Sequence, residues 1–153
     1  MKIIGLITED FINYKKPSMY IAFPYCSFKC GREVCQNRAL TKKEKKEVSV
    51  QKIIDLYLGN PISKAIVLGG LEPLDSWEDI QCFVMNLRYW TNDEVVIYTG
   101  YTEEEISDKI KWLESYENII VKFGRFVPNE DSHFDEILGV KLSSSNQYAR
   151  ELK

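Results

Sequence analysis

The chain has 153 residues and a mass of 17.9 kDa, so we predict a single domain over residues 1–153. Hydrophobic residues make up 44% and charged residues 28%, as in soluble globular proteins, and a net charge of −3 argues against a nucleic-acid-binding surface. No apolar run approaches the ~18 residues of a membrane span and no signal-peptide pattern is present, so we expect a cytoplasmic protein with no membrane or nucleic-acid partner.

Short apolar runs alternate with amphipathic segments along most of the chain. Four runs rich in β-branched and aromatic residues predict buried strands at Met19–Phe23, Ala65–Leu68, Val95–Tyr98 and Ile119–Phe123. A further strand is expected within Lys2–Ile7.

Three helices are predicted between these strands. Ser49 is placed to cap the first, which carries an apolar face over residues 50–58 and ends at Gly59. The second begins near Asp75–Ser76, and the third follows a capping box over Thr102–Glu105.

Alternation of strands and helices indicates parallel βαβ units. Four strands cannot close an eight-stranded barrel in 153 residues, which leaves a partial barrel or an open α/β sheet. The stretch from Pro128 onward is polar and is expected to be mainly loop, with one short strand near Leu138–Leu142.

In either arrangement, the loops that follow the carboxyl ends of the strands build the functional site. These loops are Cys26–Cys35, Gly69–Pro73, Thr99–Tyr101 and Gly124–Phe126. The chemically unusual residues are therefore expected to meet at one edge of the sheet.

Three of the four cysteines, Cys26, Cys30 and Cys35, fall within ten residues of one another. Clustered thiolates in a reducing compartment suggest a metal or iron–sulfur site. Three ligands leave one metal position open for chemistry. The alternatives are a structural zinc site completed by Cys82 or His133, or unligated thiols; we expect Cys82 to be a small buried side chain in the second helix.

Glu72 follows the paired glycines Gly69 and Gly70, where the backbone can approach a ligand closely and a carboxylate can bind an ammonium group. An ordinary turn with a solvated acidic residue explains the same pattern. Helix capping explains the presence of Thr99 in this loop almost fully. Arg125 could pair with an anionic group or lie on an exposed surface.

Several blocks together resemble the radical S-adenosylmethionine (SAM) activases, and most of all the activating proteins of anaerobic ribonucleotide reductases. The blocks are Asp10–Tyr14, Cys26–Cys30, Cys35–Asn37, Gly70–Leu74, Tyr98–Tyr101, Gly124–Phe126 and Ser144–Gln147. They occur in the family's order over nearly the whole chain.

The resemblance implies a partial parallel β/α barrel of the radical SAM type. It implies that Cys26, Cys30 and Cys35 hold a [4Fe-4S] cluster. For SAM, it implies that Gly69, Gly70, Glu72, Thr99 and Arg125 form the binding site. No side chain is assigned as a catalytic residue.

The implied activity is SAM cleavage to a deoxyadenosyl radical, which installs a glycyl radical on anaerobic ribonucleotide reductase. An electron donor such as flavodoxin or ferredoxin is the implied second partner. A non-catalytic metal or iron–sulfur module, such as a structural zinc protein, an electron carrier or a partner-binding subunit, is the alternative.

The sequence departs from the family at three places. The cysteines read C-x3-C-x4-C where the family has C-x3-C-x2-C, so two extra residues separate Cys30 from Cys35. Leu71 stands where the family commonly has a second glycine, and Phe123 stands where it has an aspartate.

Overall fold

The computed structural model describes residues 1–153, which form ten strands and three α-helices. The strands are β1 (Lys2–Ile3), β2 (Gly5–Asp10), β3 (Ser18–Phe23), β4 (Lys46–Glu47), β5 (Ala65–Gly70), β6 (Glu94–Tyr98), β7 (Ile119–Phe123), β8 (His133–Asp135), β9 (Val140–Leu142) and β10 (Tyr148–Glu151). The helices are α1 (Val50–Leu58), α2 (Trp77–Leu87) and α3 (Ser107–Leu113).

Six strands form one mixed sheet in the order β10-β7-β6-β5-β3-β2. The four central strands β3, β5, β6 and β7 are parallel, and they correspond to the four apolar runs predicted as strands. The two edge strands β2 and β10 are antiparallel to their neighbours. Two small pairs, β1 with β4 and β8 with β9, complete the strand pairing.

The prediction of a partial parallel β/α barrel is wrong. Antiparallel strands lie at both edges of the sheet, and only three short helices accompany it. The connection from β2 to β3 spans only residues 11–17, which suits an antiparallel pair, because a parallel crossover needs a dozen or more residues. The polar segment expected to be mainly loop supplies the other antiparallel edge, β10.

The sheet buries both faces, which explains why its central strands are mostly apolar. One face packs against the three helices, and its core includes Ile66 and Leu68 of β5. The opposite face, which includes Ala65 and Val67, is covered by Tyr14 and by the β8–β9 region.

Helix boundaries follow the capping signals closely. The Ser49 side chain accepts a hydrogen bond from the Lys52 N–H, and Gly59 ends α1. Thr102 and Glu105 exchange the two hydrogen bonds of a capping box, but a 3₁₀ turn over Glu104–Ile106 precedes α3. None of these helices combines the length and apolar character needed to cross a membrane.

Candidate functional site

A cavity of about 510 Å³ lies where the parallel strands end. Seven residues proposed from the sequence line it: Cys26, Cys30, Cys35, Gly70, Glu72, Thr99 and Arg125. The eighth, Gly69, is not among the lining residues; a Cβ built on it would meet the Tyr20 ring. The structure thus places residues from four different loops around one cavity.

The three cysteines follow β3 and have free thiols of intermediate burial. The Cys26 Sγ accepts a hydrogen bond from the Phe28 N–H at 3.2 Å. Burial raises the pKa of the Cys26 thiol to about 11. Metal binding must therefore displace a proton from this sulfur, because the thiolate is the ligand.

The two extra residues of the cysteine loop do not separate the second and third thiols. Gly31 adopts a left-handed backbone with φ +92°, and the exposed Arg32 lies over the Phe28 ring at 4.5 Å. Burial raises the pKa of Cys30, and the nearby Cys35 thiol adds to this effect. The longer loop therefore turns outward while the thiols of Cys30 and Cys35 stay close.

A hydrogen bond ties this loop to the end of β5. The Asn37 Nδ2 donates to the Gly70 carbonyl at 3.0 Å, and the Leu71 N–H donates to the Phe23 carbonyl. Leu71, which stands where the activases that the sequence resembles commonly have a glycine, is half-buried and lines the cavity.

Glu72 is a buried carboxylate, only 5% exposed, so the alternative of a solvated acidic residue is wrong. Its Oε1 accepts hydrogen bonds from the Leu74 N–H at 3.0 Å and the Thr99 hydroxyl at 2.9 Å. Its Oε2 accepts one from the Gly100 N–H at 2.8 Å. Burial raises the pKa of Glu72 to about 7, although these three hydrogen bonds act in the opposite direction.

An ionised carboxylate has about four acceptor positions. Three are used within the protein, and Glu72 retains capacity for one more donor. Glu72 therefore both fixes the loops after β5 and β6 and presents negative charge to the cavity.

Arg125 is an ion-paired residue in this structure. Its Nη2 donates to the Glu105 Oε1 at 2.7 Å, and its guanidinium lies 5.6 Å from the centre of the Tyr101 ring. The hydrogen bond from Arg125 holds the pKa of Glu105 down to about 2. The positive charge of Arg125 is thus already compensated by a neighbouring carboxylate.

Sequence reasoning missed one buried polar residue of this region, Lys122, and gave no role to another, Gln147. Lys122 lines the cavity from within the apolar strand β7, where the only sequence signal is one lysine among five residues. Gln147 accepts hydrogen bonds from the Ser143 and Ser144 N–H groups, and its Nε2 donates to the Gly124 carbonyl. The polar segment Ser144–Gln147 therefore braces the loop that carries Arg125.

The structure offers no support for a zinc site completed by Cys82 or His133. No three His, Cys, Asp or Glu side chains converge closely enough to hold a single metal ion. Neither Cys82 nor His133 lines the cavity. Cys82 is exposed on α2, so the expectation that it is buried is wrong.

In a comparison with protein families, residues 18–149 match the 4Fe-4S single cluster domain. The chain belongs to this family. The matched residues include all three clustered cysteines and every other candidate residue. Comparisons with curated proteins and with solved structures give no match.

The residues of the cavity fit a 4Fe-4S cluster. Three free, partly exposed thiols from one loop line a single cavity, and thiolates are the usual cluster ligands. Each thiolate of such a cluster binds a different iron, so the sulfurs need not converge on one ion. Cys26, Cys30 and Cys35 are therefore the residues of this family member that suit the cluster.

A substitution of Gly70 tests how tightly β5 packs against β3 at the cavity wall. This residue has φ +99°, and an added Cβ would lie 2.6 Å from the Phe23 nitrogen and 2.9 Å from the Ala22 Cα. Both neighbours are backbone atoms of β3. We expect Gly70→Ala to lower the free energy of unfolding by about 2–5 kcal/mol, measured by chemical denaturation.

Gly5→Ala is the matched control, because its added Cβ would also approach Ala22, but at an ordinary 3.5 Å from the side chain. It should change the free energy of unfolding by less than about 1 kcal/mol. Equal stability of the Gly70→Ala variant and the wild type would contradict the tight packing of β5 on β3.

Proposed function

We propose that this protein is a radical SAM activase that installs a glycyl radical on anaerobic ribonucleotide reductase. The observation that carries the proposal is the lining of one cavity by three free thiols, a buried carboxylate and basic side chains. Membership of a 4Fe-4S family supports the cluster part of the proposal. The order of motifs, which resembles that of the activases, supports the proposed SAM cleavage and glycyl-radical formation.

The proposed cofactors are a [4Fe-4S] cluster held by Cys26, Cys30 and Cys35, and SAM. When bound, they supply one-electron cleavage of SAM and removal of a hydrogen atom from a glycine. An electron donor such as flavodoxin or ferredoxin would provide the electron. We place the protein in the cytoplasm, where reducing conditions keep the thiols free.

The protein's own residues bind SAM and orient it. Glu72 offers its remaining acceptor position to the ammonium group of SAM, and Thr99 and Gly100 hold that carboxylate in place. Gly70 brings the backbone close to the ligand, since it has no side chain in a left-handed position.

A protein substrate fits the open side of the cavity. Ile12, which lines the cavity, is 78% exposed, and the neighbouring Phe11 is 66% exposed. Exposed apolar side chains beside a polar cavity suit contact with another protein. A partner presenting its glycine here would help to exclude water from the reaction.

The test combines reduced protein, SAM and the anaerobic reductase of the same organism. Electron paramagnetic resonance should detect a glycyl radical on the reductase. In a mixture of reduced protein and SAM that lacks the reductase, SAM should be cleaved only slowly. A reductase with its radical-bearing glycine changed to alanine is the control. Substitutions of Arg125 or within Ser144–Gln147 should reduce radical transfer more than iron content.

A wild-type mixture with intact cluster and SAM cleavage but no glycyl signal would exclude this substrate. A protein that holds the cluster but neither binds nor cleaves SAM would instead be an electron carrier or a partner-binding subunit.

A further inference from the structure

Lys122 is a buried cation without a counterion. It is 7% exposed, and its Nζ donates one hydrogen bond, to the Gly124 carbonyl at 2.9 Å. An ammonium group has three donors, so two remain without a protein acceptor. No carboxylate lies within ion-pair distance of Lys122.

An uncompensated buried charge is costly, which makes its place in the molecule informative. Desolvation lowers the pKa of Lys122 to about 8, so the side chain remains mostly charged at neutral pH. The charge faces the cavity, because Lys122 is one of the lining residues. An anionic ligand group there would supply the missing acceptors.

The other cations of the cavity are less suited to this role. Arg125 and Lys29 both approach Glu105, at 2.7 Å and 3.7 Å. Lys29 and Lys141 are exposed, so water already solvates their charges. Lys122 is thus the buried cation of the cavity with unused donors.

The cavity therefore presents one buried carboxylate, Glu72, and one buried ammonium, Lys122. Both groups line the same cavity, and electrostatic attraction from Glu72 favours the charged form of Lys122 and opposes the fall of its pKa. They do not form an ion pair. This arrangement complements an α-amino acid, whose ammonium and carboxylate groups are joined through one carbon.

We propose that Lys122, rather than Arg125, binds the carboxylate of the methionine part of SAM while Glu72 binds its ammonium group. This inference rests on the proposed function, because it names the residue that recognises one end of the proposed ligand. Arg125, held by Glu105, then shapes the rim of the cavity.

The experiment compares SAM with decarboxylated SAM, which keeps the ammonium group and lacks the carboxylate. Binding of each to the anaerobically reconstituted protein is measured by calorimetry without turnover. We expect the wild type to bind SAM about 10–100-fold more tightly than the decarboxylated ligand. Lys122→Met should bring this ratio close to one, chiefly by weakening the binding of SAM.

Two further variants make the assignment specific. Lys141→Met, the same substitution at an exposed lysine of the cavity, should keep the wild-type ratio. Arg125→Met tests the competing assignment and should also keep most of the ratio. If Lys122→Met fails to retain its cluster, Lys122→Gln is used instead, because it removes the charge and retains an amide donor.

The outcomes separate this inference from the proposed function. The role of Lys122 would be overturned if the folded Lys122 variant still preferred SAM over decarboxylated SAM. It would also be overturned if the wild type bound the two ligands equally. Either result would leave SAM binding intact. If the cluster-loaded wild type binds neither ligand, the proposed function fails, and this inference fails with it.

Discussion

Anaerobic reconstitution of the wild-type protein should give about four irons per chain and a broad brown absorbance. Replacing any one of Cys26, Cys30 and Cys35 with alanine should abolish both signals, since each thiolate would hold one iron. This is the largest effect that we expect from a single substitution. Iron analysis and the visible absorption spectrum provide the measurement.

Cys82→Ala is the matched control, because this thiol is exposed on α2 and does not line the cavity. Its iron content should equal that of the wild type. Stoichiometric zinc without iron uptake by the wild-type protein would contradict the cluster assignment and with it the radical chemistry.

Glu72→Gln should keep the cluster but weaken SAM binding by about 1.5–3 kcal/mol, or roughly 10–150-fold. The reason is the loss of a charged acceptor for the ligand's ammonium group. Glu78→Gln, the same change on an exposed residue of α2, should leave the affinity unchanged. Calorimetry at fixed ionic strength measures both variants.

The pH dependence provides a second measurement of the same contact. Burial raises the pKa of Glu72 to about 7, so its carboxylate form increases as the pH rises from 6 to 7.5. Wild-type affinity for SAM should rise over this range, because only the ionised form attracts the ammonium group. The dependence should be much weaker in Glu72→Gln; an equal slope in both proteins would assign it to another group.

The central strands could be predicted from the sequence because strands buried on both faces have an unmistakable composition. Ile66 to Leu68 and Val95 to Ile97 are apolar without interruption, and each run is followed by a loop with distinctive residues. The meeting of those loops then follows from parallel strand direction alone. Parallel strand direction therefore predicts that the cysteines and Glu72 lie at one edge of the sheet, and all of them line the cavity there.

The edge strand β10 could not be predicted in the same way. In β10, Ala149 is buried while Tyr148 and Glu151 are exposed, so a four-residue strand carries almost no hydrophobic pattern. Its antiparallel pairing with β7 arises from tertiary contacts that the local sequence does not encode. The barrel prediction failed because the family resemblance supplied an architecture that the edge strands do not follow.

Lys122 was missed for a related reason. A lysine in a strand is usually exposed, and nothing local indicates that residue 122 is buried beside a cavity. Its significance depends on tertiary contacts, since the ion pair of Arg125 with Glu105 leaves Lys122 as the buried charge without a counterion.

The outward loop between Cys30 and Cys35 has a consequence for how such sites are found. Gly31 accommodates the added length through its left-handed turn, and Arg32 stacks over Phe28 instead of entering the cavity. The number of residues between Cys30 and Cys35 can therefore exceed the family pattern while the two thiols stay close. A sequence search with a fixed C-x3-C-x2-C pattern therefore selects for loop length. It does not find chains with a longer loop, even when their thiols lie near one another.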